Sequence, residues 1–424
     1  MSTKHLNIVV FFLVLVIIGS MNIAAPNEQV KIENENRMTK PLPEFSKEEL
    51  FSGEYFKKFD AFFADNFIMR NIYVSTSKKI KALNGLNFGE KAELVVYAGA
   101  NVDQEVSSSS GETSDAQESG QGDAAEAQEG NVQDSKWGKI LIYNNAAMEL
   151  NTYSEWAAKK YAESINGYAD RFTDVNIYSL LVPTQVDFVE DDKYRSLSVP
   201  QSETIASTQE FFNDKVTPVN IRENLAAHLD EYIFFRTDHH WTQRGAFYGY
   251  QVFAELLGEE KPLLSDYKKT DYGEFLGSLY KVTMHEKLEN NPDNIELFDP
   301  EIPHKYISLD EKIKYNEGQV FVEKWLDTDE KYAVFLGGDQ PIVKIETNQD
   351  YGRNILVLKD SYANALIPYL MGVADNIVVI DPRLFDGKVD DVISEHDITD
   401  ILFVNYALIT RWDGYSELYN KLLK

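Results

Sequence analysis

One short segment, residues 237–242 (TDHHWT), holds the densest group of chemically versatile side chains in the chain. Two of the seven histidines are adjacent there, and Asp238 lies two positions before His240. In an extended or tightly turned loop, this spacing lets the carboxylate accept a hydrogen bond from the imidazole Nδ1–H, which fixes the tautomer and stabilises the imidazolium. The segment is therefore compatible with an acid–base pair, a metal-binding group, or a loop whose histidines make local hydrogen bonds.

A second candidate, Ser361, follows directly after an apolar run. Residues 354–358 (NILVL) have the pattern of a buried strand, and residues 362–370 have the pattern of a helix. A serine between them lies at the carboxyl edge of a sheet, where open α/β folds build their sites. Backbone N–H groups at the start of the helix can then stabilise an oxyanion. The alternative is that Asp360 or Ser361 only caps the helix.

Together, Asp238, His240 and Ser361 are the parts of a serine nucleophile system, and their order along the chain is one of those known for such triads. A serine hydroxyl is a poor nucleophile until a base accepts its proton, and a third group has to hold that base in the correct tautomer. His240 is preferred to His239 because a side chain two positions from Asp238 can turn back to face it. We therefore expect the three residues to converge in one cleft.

The segment 236–246 (RTDHHWTQRGA) resembles the signature of the DHHW proteins of Gram-positive bacteria, which are similar to the SGNH-hydrolase-like proteins of alginate and cellulose O-acetylation systems. The resemblance covers most of residues 35–410. It implies an SGNH-hydrolase-like fold in which the motif order is circularly permuted. Four further stretches match the same pattern: ENRMTKPLP, FKKFDAFFADNFIMR, FLGGDQP and KDSYANALIPYL.

Carried over residue by residue, the resemblance implies that Ser361 is the nucleophile, His240 the general base and Asp238 the carboxylate that orients it. One departure is Lys359, which stands where a glycine usually precedes the Asp-Ser pair.

Three further residues are candidates for binding the substrate or an oxyanion. Asn405, at the end of a strand pattern, is the candidate oxyanion donor, and Arg383 is a candidate for contact with substrate or oxyanion. Trp241 is a candidate for stacking on a sugar face. Each has a structural alternative: a turn residue for Asn405, a solvated or salt-bridged side chain for Arg383, and packing for Trp241.

The resemblance implies an extracytoplasmic serine O-acyl (acetyl) transferase or esterase that acts on a cell-surface or secreted polysaccharide. The alternative is a non-catalytic glycan-binding or envelope-assembly protein on the same fold. A metal hydrolase that uses Asp238, His239 and His240 ranks last, because consecutive histidines rarely converge on one ion. The leading hypothesis requires no cofactor or metal. Its expected partners are a polysaccharide acceptor and, by family analogy, a membrane-embedded acyltransferase.

Strand and helix patterns alternate from residue 152 onward, which predicts an α/β fold with a mostly parallel sheet flanked by helices. The strands at 177–182, 355–358, 377–380 and 401–405 are expected to share that sheet. Helices are expected at 152–171 and, capped by Thr242, at 242–257. Residues 281–350 have an irregular, strand-rich pattern.

Six segments follow from these patterns. They are a signal anchor or signal peptide (1–28), a linker with a helix and a first strand (29–100), an acidic insertion (101–135), the first part of the α/β domain (136–280), a strand-rich insertion (281–350), and a second part with the serine turn (351–424). Aromatic residues at helical spacing in 51–63 predict the helix of the second segment. The acidic insertion is expected to be disordered, between two strands that pair with each other, and to act as a spacer or as a lid.

Composition narrows the classes of function. The net charge of −28 argues against a nucleic-acid partner, because such binding requires a basic face. The absence of cysteine excludes a disulfide framework, a thiolate metal site and a cysteine nucleophile. The apolar run 8–18 follows Lys4 and predicts an uncleaved membrane anchor, with a cleaved signal peptide and a buried core helix as alternatives. Either of the first two places the rest of the chain outside the cytoplasm.

Overall fold

Short apolar runs bounded by polar residues form the strands at the centre of the fold. In the segment NILVLK (354–359), Ile355, Leu356, Val357 and Leu358 are all fully buried. Such a run lacks the alternation of a half-exposed strand, and it is typical of a strand covered on both faces. The strands predicted at 177–182, 355–358, 377–380 and 401–405 are confirmed and lie in one sheet.

The computed structural model describes residues 31–32, 37–38, 40–47, 50, 54–67, 92–96, 139–309 and 315–424. The predicted membrane anchor and the predicted acidic insertion lie outside the described residues. Among the residues that are described, no helix is both long enough and apolar enough to cross a membrane.

The strands are β1 (Lys31–Ile32), β2 (Arg37–Met38), β3 (Ala92–Val96), β4 (Lys139–Tyr143), β5 (Ala146–Glu149), β6 (Asn176–Val182), β7 (Val216–Pro218), β8 (Lys268–Phe275), β9 (Asp293–Asp299), β10 (Lys305–Leu309), β11 (Tyr315–Gly318), β12 (Ile342–Glu346), β13 (Asn354–Lys359), β14 (Asn376–Ile380) and β15 (Asp400–Tyr406). The α-helices are Glu54–Asn66, Glu155–Arg171, Asp192–Arg195, Gln201–Gln209, Arg222–Ala226, Gln243–Leu256, Ser278–Thr283, Glu286–Glu289, Ile367–Leu370, Val389–Glu395 and Gly414–Leu422. The 3₁₀ turns are Gln185–Phe188, Leu264–Asp266, Glu323–Asp327, Lys331–Val334, Ser361–Ala365 and Ala407–Arg411.

The described residues fall into two units, one drawn from residues 1–90 and 94–140 and the other from residues 91–93 and 141–424. The first contains the β1–β2 ribbon and the helix Glu54–Asn66, which confirms the predicted aromatic helix over its described part. The Asn66 side-chain amide ends this helix by donating to the carbonyl oxygens of Lys40 and Phe62. The second unit contains the central sheet and the candidate site.

The central sheet has the strand order β11-β10-β12-β14-β13-β15-β6-β7. Neighbouring strands from β14 to β7 run parallel, whereas β10, β11 and β12 join through antiparallel pairs. The fold is therefore α/β, and the four strands predicted to share a sheet pair in parallel, but the sheet as a whole is mixed. The reason is that the strand-rich residues 281–350 extend the same sheet.

Helices cover both faces of the sheet. Alternate side chains of β13 enter two separate cores, with Ile355 and Val357 in one and Leu356 and Leu358 in the other. The helix Gln243–Leu256 packs into the first core through residues such as Phe247, and its start is capped by the Thr242 hydroxyl as predicted. The helices Glu155–Arg171 and Gly414–Leu422 pack into the second core.

Two smaller sheets complete the described strands. β8 and β9 form an antiparallel hairpin, which precedes the strands that extend the central sheet. β3, β4 and β5 form a three-stranded sheet in that order. The predicted pairing of the two strands that bracket the acidic insertion is thus confirmed.

The helix predicted at 362–370 is wrong as a continuous element. A 3₁₀ turn, Ser361–Ala365, follows the serine strand, and a single α-helical turn begins only at Ile367, with Pro368 in its first turn. Proline has no N–H to donate and suits the start of a helix, so the helical pattern restarts there. The serine is therefore followed by a 3₁₀ turn and not by the start of a long helix. The helix whose N–H groups were expected to stabilise an oxyanion is not formed there.

Candidate active site

The Asp-His-His sequence lies at the tip of a tight hairpin. Phe234 and Trp241 face each other across it as an antiparallel bridge, and the Thr242 N–H donates to the Ile233 carbonyl at 3.0 Å. At Gly245 a Cβ atom would lie 2.3 Å from the Ile233 carbonyl oxygen, so only glycine lets the following helix approach the hairpin this closely. Contacts within residues 233–245 therefore determine the conformation of the loop that carries Asp238 and His240.

The two oxygens of Asp238 are both used. Oδ1 accepts from the His240 Nδ1–H at 2.6 Å and from the His240 backbone N–H at 3.0 Å, and Oδ2 accepts from the Ser278 N–H at 2.8 Å. Burial alone raises the pKa of Asp238, but the charge and hydrogen bond of His240, the charge of His239 and the Ser278 N–H hold that pKa well below its usual range. Asp238 is therefore a carboxylate that holds His240 in one tautomer.

The other ring nitrogen of His240, Nε2, lies 2.7 Å from the Ser361 Oγ atom. Because Nδ1 carries the proton that Asp238 accepts, Nε2 is free to accept the serine proton. The structure thus brings together the three residues that the sequence places in a triad. Their geometry is that of a serine with a base at hydrogen-bond distance and a carboxylate behind the base.

The serine turn is held by a buried carboxylate. Asp360 Oδ1 accepts from the Tyr362 N–H at 2.9 Å, and its Oδ2 accepts from the Tyr406 N–H at 3.0 Å. Asp360 is therefore the N-cap of the 3₁₀ turn, as the structural alternative anticipates, while the Ser361 side chain remains directed to His240.

Tyr332 contacts both His240 and Ser361. The sequence gives no indication that Tyr332 belongs to the site. Its ring is stacked on the His240 ring with centroids 3.8 Å apart and planes 7° apart, and its hydroxyl donates to the Ser361 carbonyl at 3.0 Å. Burial raises the pKa of Tyr332 well above its ordinary value, so the hydroxyl keeps its proton. Tyr332 lies in a short 3₁₀ turn, Lys331–Val334, which has no periodic pattern to mark it.

The His239 side chain contacts Ser278, as expected for a supporting residue. Its Nδ1 atom lies 2.7 Å from the Ser278 Oγ atom, and its ring lies 3.7 Å from that of His240. One ligand atom each of Asp238, His239 and His240 lie within 4.8 Å of one another. To ligate an ion, however, Asp238 or His240 would have to give up a bond within the triad, so the geometry favours acid–base chemistry over a metal site.

Asn405 does not have the environment of an oxyanion donor. Its side chain is fully buried, its oxygen accepts from the hydroxyls of Tyr161 and Tyr419, and its NH₂ group donates to Asp360. This corrects the predicted role. A strand end can be located from the sequence, but which neighbour its side chain faces cannot.

Arg383 is also placed in a structural role, as its salt-bridge alternative anticipates. Its guanidinium contacts Asp339 and Asp381, and the Lys359 Nζ atom lies 2.6 Å from the first of these carboxylates and 3.3 Å from the second. Lys359 is only 1% exposed. The lysine that replaces the usual glycine is thus neutralised by two aspartates, one of them in the FLGGDQP stretch.

Trp241 is completely buried, and its indole N–H donates to the Tyr362 carbonyl at 2.8 Å. It packs between the hairpin and the serine turn and has no face available for a sugar. This corrects the predicted stacking role in favour of the packing alternative.

A small, partly open cavity of about 20 Å³ adjoins the Asp-His-His loop. Its walls combine hydrogen-bonding side chains with apolar ones: Thr184, Gln185, His239 and His240, and Met148, Phe234, Phe235 and Leu279. Within the described residues, the Gln185 Oε1 atom is buried and has no hydrogen-bond donor. The lining of this cavity therefore offers both hydrogen-bonding and apolar groups beside His240.

Two further supports of the site escaped the sequence reasoning. At Gly277 a Cβ atom would lie 2.3 Å from the Asp238 Cβ atom, so the glycine allows the chain to pass directly beside the carboxylate. Asp293 is buried and accepts hydrogen bonds from the segment that precedes Asp238. Gly277 follows the end of β8, and Asp293 is the first residue of β9. Nothing in the sequence distinguishes them from the other glycines and acidic residues of the chain.

Comparison with known proteins identifies a family. The family model described as "DHHW protein" matches residues 100–380. A search of curated protein sequences finds no match. The crystal structure of a DHHW family protein from Eubacterium siraeum is similar, with 28% identity, a TM-score of 0.62, and coverage of 68% of this chain and 96% of that one.

Two other solved structures are similar to this chain. Bacillus cereus PatB1 with a sulfonyl adduct has 20% identity and a TM-score of 0.57, over 67% of this chain and 98% of PatB1. The O-acetyltransferase domain of Pseudomonas putida AlgJ has 14% identity and a TM-score of 0.38, over 66% of this chain and 96% of that domain. The likeness to PatB1 indicates a shared fold.

Proposed function

We propose that this chain, which belongs to the DHHW family, is a serine O-acyl (acetyl) transferase or esterase. The observation that carries the proposal is the continuous line of hydrogen bonds from Asp238 through His240 to Ser361, with contacts of 2.6 and 2.7 Å. In this arrangement the base can accept the proton of the serine hydroxyl, and the carboxylate orients the base, so the serine oxygen is activated as a nucleophile.

In the first half of the reaction, Ser361 Oγ attacks the carbonyl carbon of an acyl ester while His240 Nε2 accepts the hydroxyl proton. The tetrahedral intermediate then expels the donor alcohol, which takes the proton back from His240, and leaves an acyl group on Ser361. Asp238 stabilises the imidazolium that exists between these two proton transfers.

In the second half, an acceptor hydroxyl loses its proton to His240 Nε2 and attacks the acyl carbon. Collapse of the second intermediate returns the proton to Ser361 and releases the acylated acceptor. A sugar hydroxyl as acceptor makes the protein a transferase, and water makes it an esterase. Both outcomes use the same acyl-enzyme.

The proposed substrate is a cell-surface or secreted polysaccharide, and the proposed location is outside the cytoplasm, with the N-terminal segment as membrane anchor. The net charge of −28 does not repel a neutral glycan. Hydrogen-bonding and apolar side chains line the small opening beside the two histidines, and a sugar presents hydroxyl edges and apolar faces that could contact them. We also propose the circularly permuted SGNH-like order and a membrane-embedded acyltransferase as the acyl-donating partner, on the resemblance of the motifs.

The test uses the purified full-length chain, p-nitrophenyl acetate as acyl donor and candidate oligosaccharides as acceptors. Mass spectrometry of protein and glycan is expected to find an acetyl group on Ser361 and then on sugar. Phenylmethanesulfonyl fluoride is expected to label the same residue, because an activated serine oxygen attacks its sulfur atom and displaces fluoride.

Ser361→Ala is expected to abolish both modifications and leave thermal unfolding unchanged, whereas the exposed Ser394→Ala is a matched control that keeps them. Full activity in Ser361→Ala would refute the serine mechanism. No acylation of the wild-type chain by any ester donor would favour the non-catalytic glycan-binding protein.

A further inference from the structure

One buried carboxylate outside the triad organises the loop that carries Asp238. Asp293, at the start of β9, is fully buried. Its Oδ1 accepts from the Tyr232 hydroxyl at 2.5 Å and the Arg236 N–H at 2.7 Å, and its Oδ2 accepts from the Thr237 N–H at 2.6 Å and the Thr237 hydroxyl at 2.5 Å. All four donors belong to the six residues directly before Asp238.

The same contacts continue to the triad. The Thr237 hydroxyl oxygen accepts from the Gly277 N–H at 2.8 Å, and the next N–H along the chain, that of Ser278, donates to Asp238 Oδ2 at 2.8 Å. The Thr237 carbonyl accepts from the Tyr280 N–H at 2.9 Å. Thr237 thus links the turn after β8 to the loop that carries Asp238 through a hydrogen bond, and Asp293 holds Thr237 in place through two more.

We propose that Asp293 is a positioning residue of this site, which acts through Thr237 and the Gly277–Ser278 turn to hold the Asp238 carboxylate against His240. The proposal rests on the proposed function for its kinetic readout. Its structural readout, the Asp238–His240 hydrogen bond, does not depend on that function.

The chemistry of the contacts specifies a carboxylate at this position. Each oxygen of Asp293 accepts from a backbone N–H, and a backbone N–H cannot turn away. An asparagine would place its NH₂ group against either Arg236 N–H or Thr237 N–H, whichever way the amide is turned. An unsatisfied buried donor of this kind is unfavourable, so the loop shifts to relieve it. A displacement near 1 Å of a catalytic group lowers the rate on the order of 10²-fold.

The experiment compares full-length wild type, Asp293→Asn and Asp271→Asn. Asp271 is an exposed carboxylate on β8 of the same hairpin and serves as the matched control. In Asp293→Asn, kcat for p-nitrophenyl acetate is expected to fall on the order of 10²-fold with KM unchanged. The low-field proton resonance of the Asp238–His240 hydrogen bond is expected to move or broaden. Asp271→Asn is expected to keep both at wild-type values.

Unchanged kcat and resonance in Asp293→Asn would overturn the proposal, as would a rise in KM alone. If Asp293→Asn fails to fold, Tyr232→Phe and Thr237→Val each remove one hydroxyl from the carboxylate. Thr237→Val also removes the acceptor of the Gly277 N–H, so it is expected to shift the resonance more than Tyr232→Phe; equal or absent shifts would contradict the proposal. A chain that hydrolyses no ester but still shows the resonance change would refute the proposed function and support the positioning role.

Discussion

The Tyr332 ring lies flat against the His240 ring, with centroids 3.8 Å apart, while the Tyr332 hydroxyl donates to the carbonyl of Ser361. One side chain therefore sets both the plane of the base and the backbone of the nucleophile. The two triad residues belong to elements 121 positions apart, and Tyr332 comes from a third. Tyr332 thus joins the base and the nucleophile, which lie 2.7 Å apart, through one side chain.

Tyr332→Phe is expected to lower kcat about fivefold, because it removes one hydrogen bond of about 1 kcal/mol and keeps the stacking. Tyr332→Leu removes both contacts and is expected to cost on the order of 10²-fold. Stopped-flow measurement of the p-nitrophenolate burst would determine the acylation rate of each variant. Equal rates for the two variants would show that the ring contact is irrelevant to the site.

Single and combined substitutions in the triad are expected to be strongly non-additive. His240→Ala and Asp238→Asn are each expected to lower kcat roughly 10³- to 10⁴-fold, the second through the wrong tautomer of His240. The double variant is expected to lose little more, because the residues act as a unit. A double variant that loses the product of both factors would indicate that Asp238 and His240 act independently.

The triad residues were predictable because their signals are local. Each central strand is a short apolar run that ends in polar residues, and the Asp-x-His spacing fixes the contact between Asp238 and His240 within one loop. Ser361 follows such a strand directly. The position of the serine at a sheet edge therefore follows from the sequence without knowledge of the rest of the fold.

The supporting residues were not predictable for the opposite reason. Asp293 and Tyr332 come from segments without hydrophobic periodicity, and their roles arise from contacts with residues that lie between 29 positions (Ser361 from Tyr332) and 92 positions (His240 from Tyr332) away. The errors at Asn405 and Arg383 have a related cause. A sequence shows that a polar residue ends a strand, but the partners that bury it, such as Tyr161 and Tyr419, are far away in the chain.

Gly277→Ala is expected to damage the site more than a single methyl group usually does. The new Cβ atom would lie 2.3 Å from the Asp238 Cβ atom and 2.8 Å from its Cα atom, so the backbone of the loop has to shift. We expect a fall in kcat on the order of 10²-fold and a loss of about 1–3 kcal/mol in the free energy of unfolding. Gly414→Ala is the control, since nothing lies within 4 Å of its Cβ position. Wild-type kinetics in Gly277→Ala would refute the close approach.

Lys359→Met tests whether the buried lysine contributes only through its two aspartates. The substitution keeps an unbranched chain of similar length but removes the charge that faces Asp339 and Asp381. Leaving Asp381, which is fully buried, with one cationic partner fewer is expected to cost on the order of 3 kcal/mol, as measured by urea unfolding. The double variant Lys359→Met/Asp381→Asn is expected to regain part of this loss. A double variant less stable than the single one would show that the cluster is not held by charge balance.

The stability contributed by Asp339 is expected to depend on pH in a defined direction. Partial desolvation raises the pKa of Asp339, whose side chain is 30% exposed, but the charges of Lys359 and Arg383 and the hydrogen bonds of Lys359 and Asn364 hold that pKa well below its usual range. A carboxyl whose folded-state pKa is depressed contributes its full stability above its unfolded-state pKa of about 3.9, and loses it as the pH falls through the folded-state pKa. The difference in unfolding free energy between wild type and Asp339→Asn is therefore expected to stay constant from about pH 7 to pH 5 and to shrink below about pH 4. Urea unfolding at a series of pH values measures this difference, with the exposed Asp329→Asn as control. A difference that grows as the pH falls would contradict the assigned ion pairs, because it would require Asp339 to be stabilised in its protonated form.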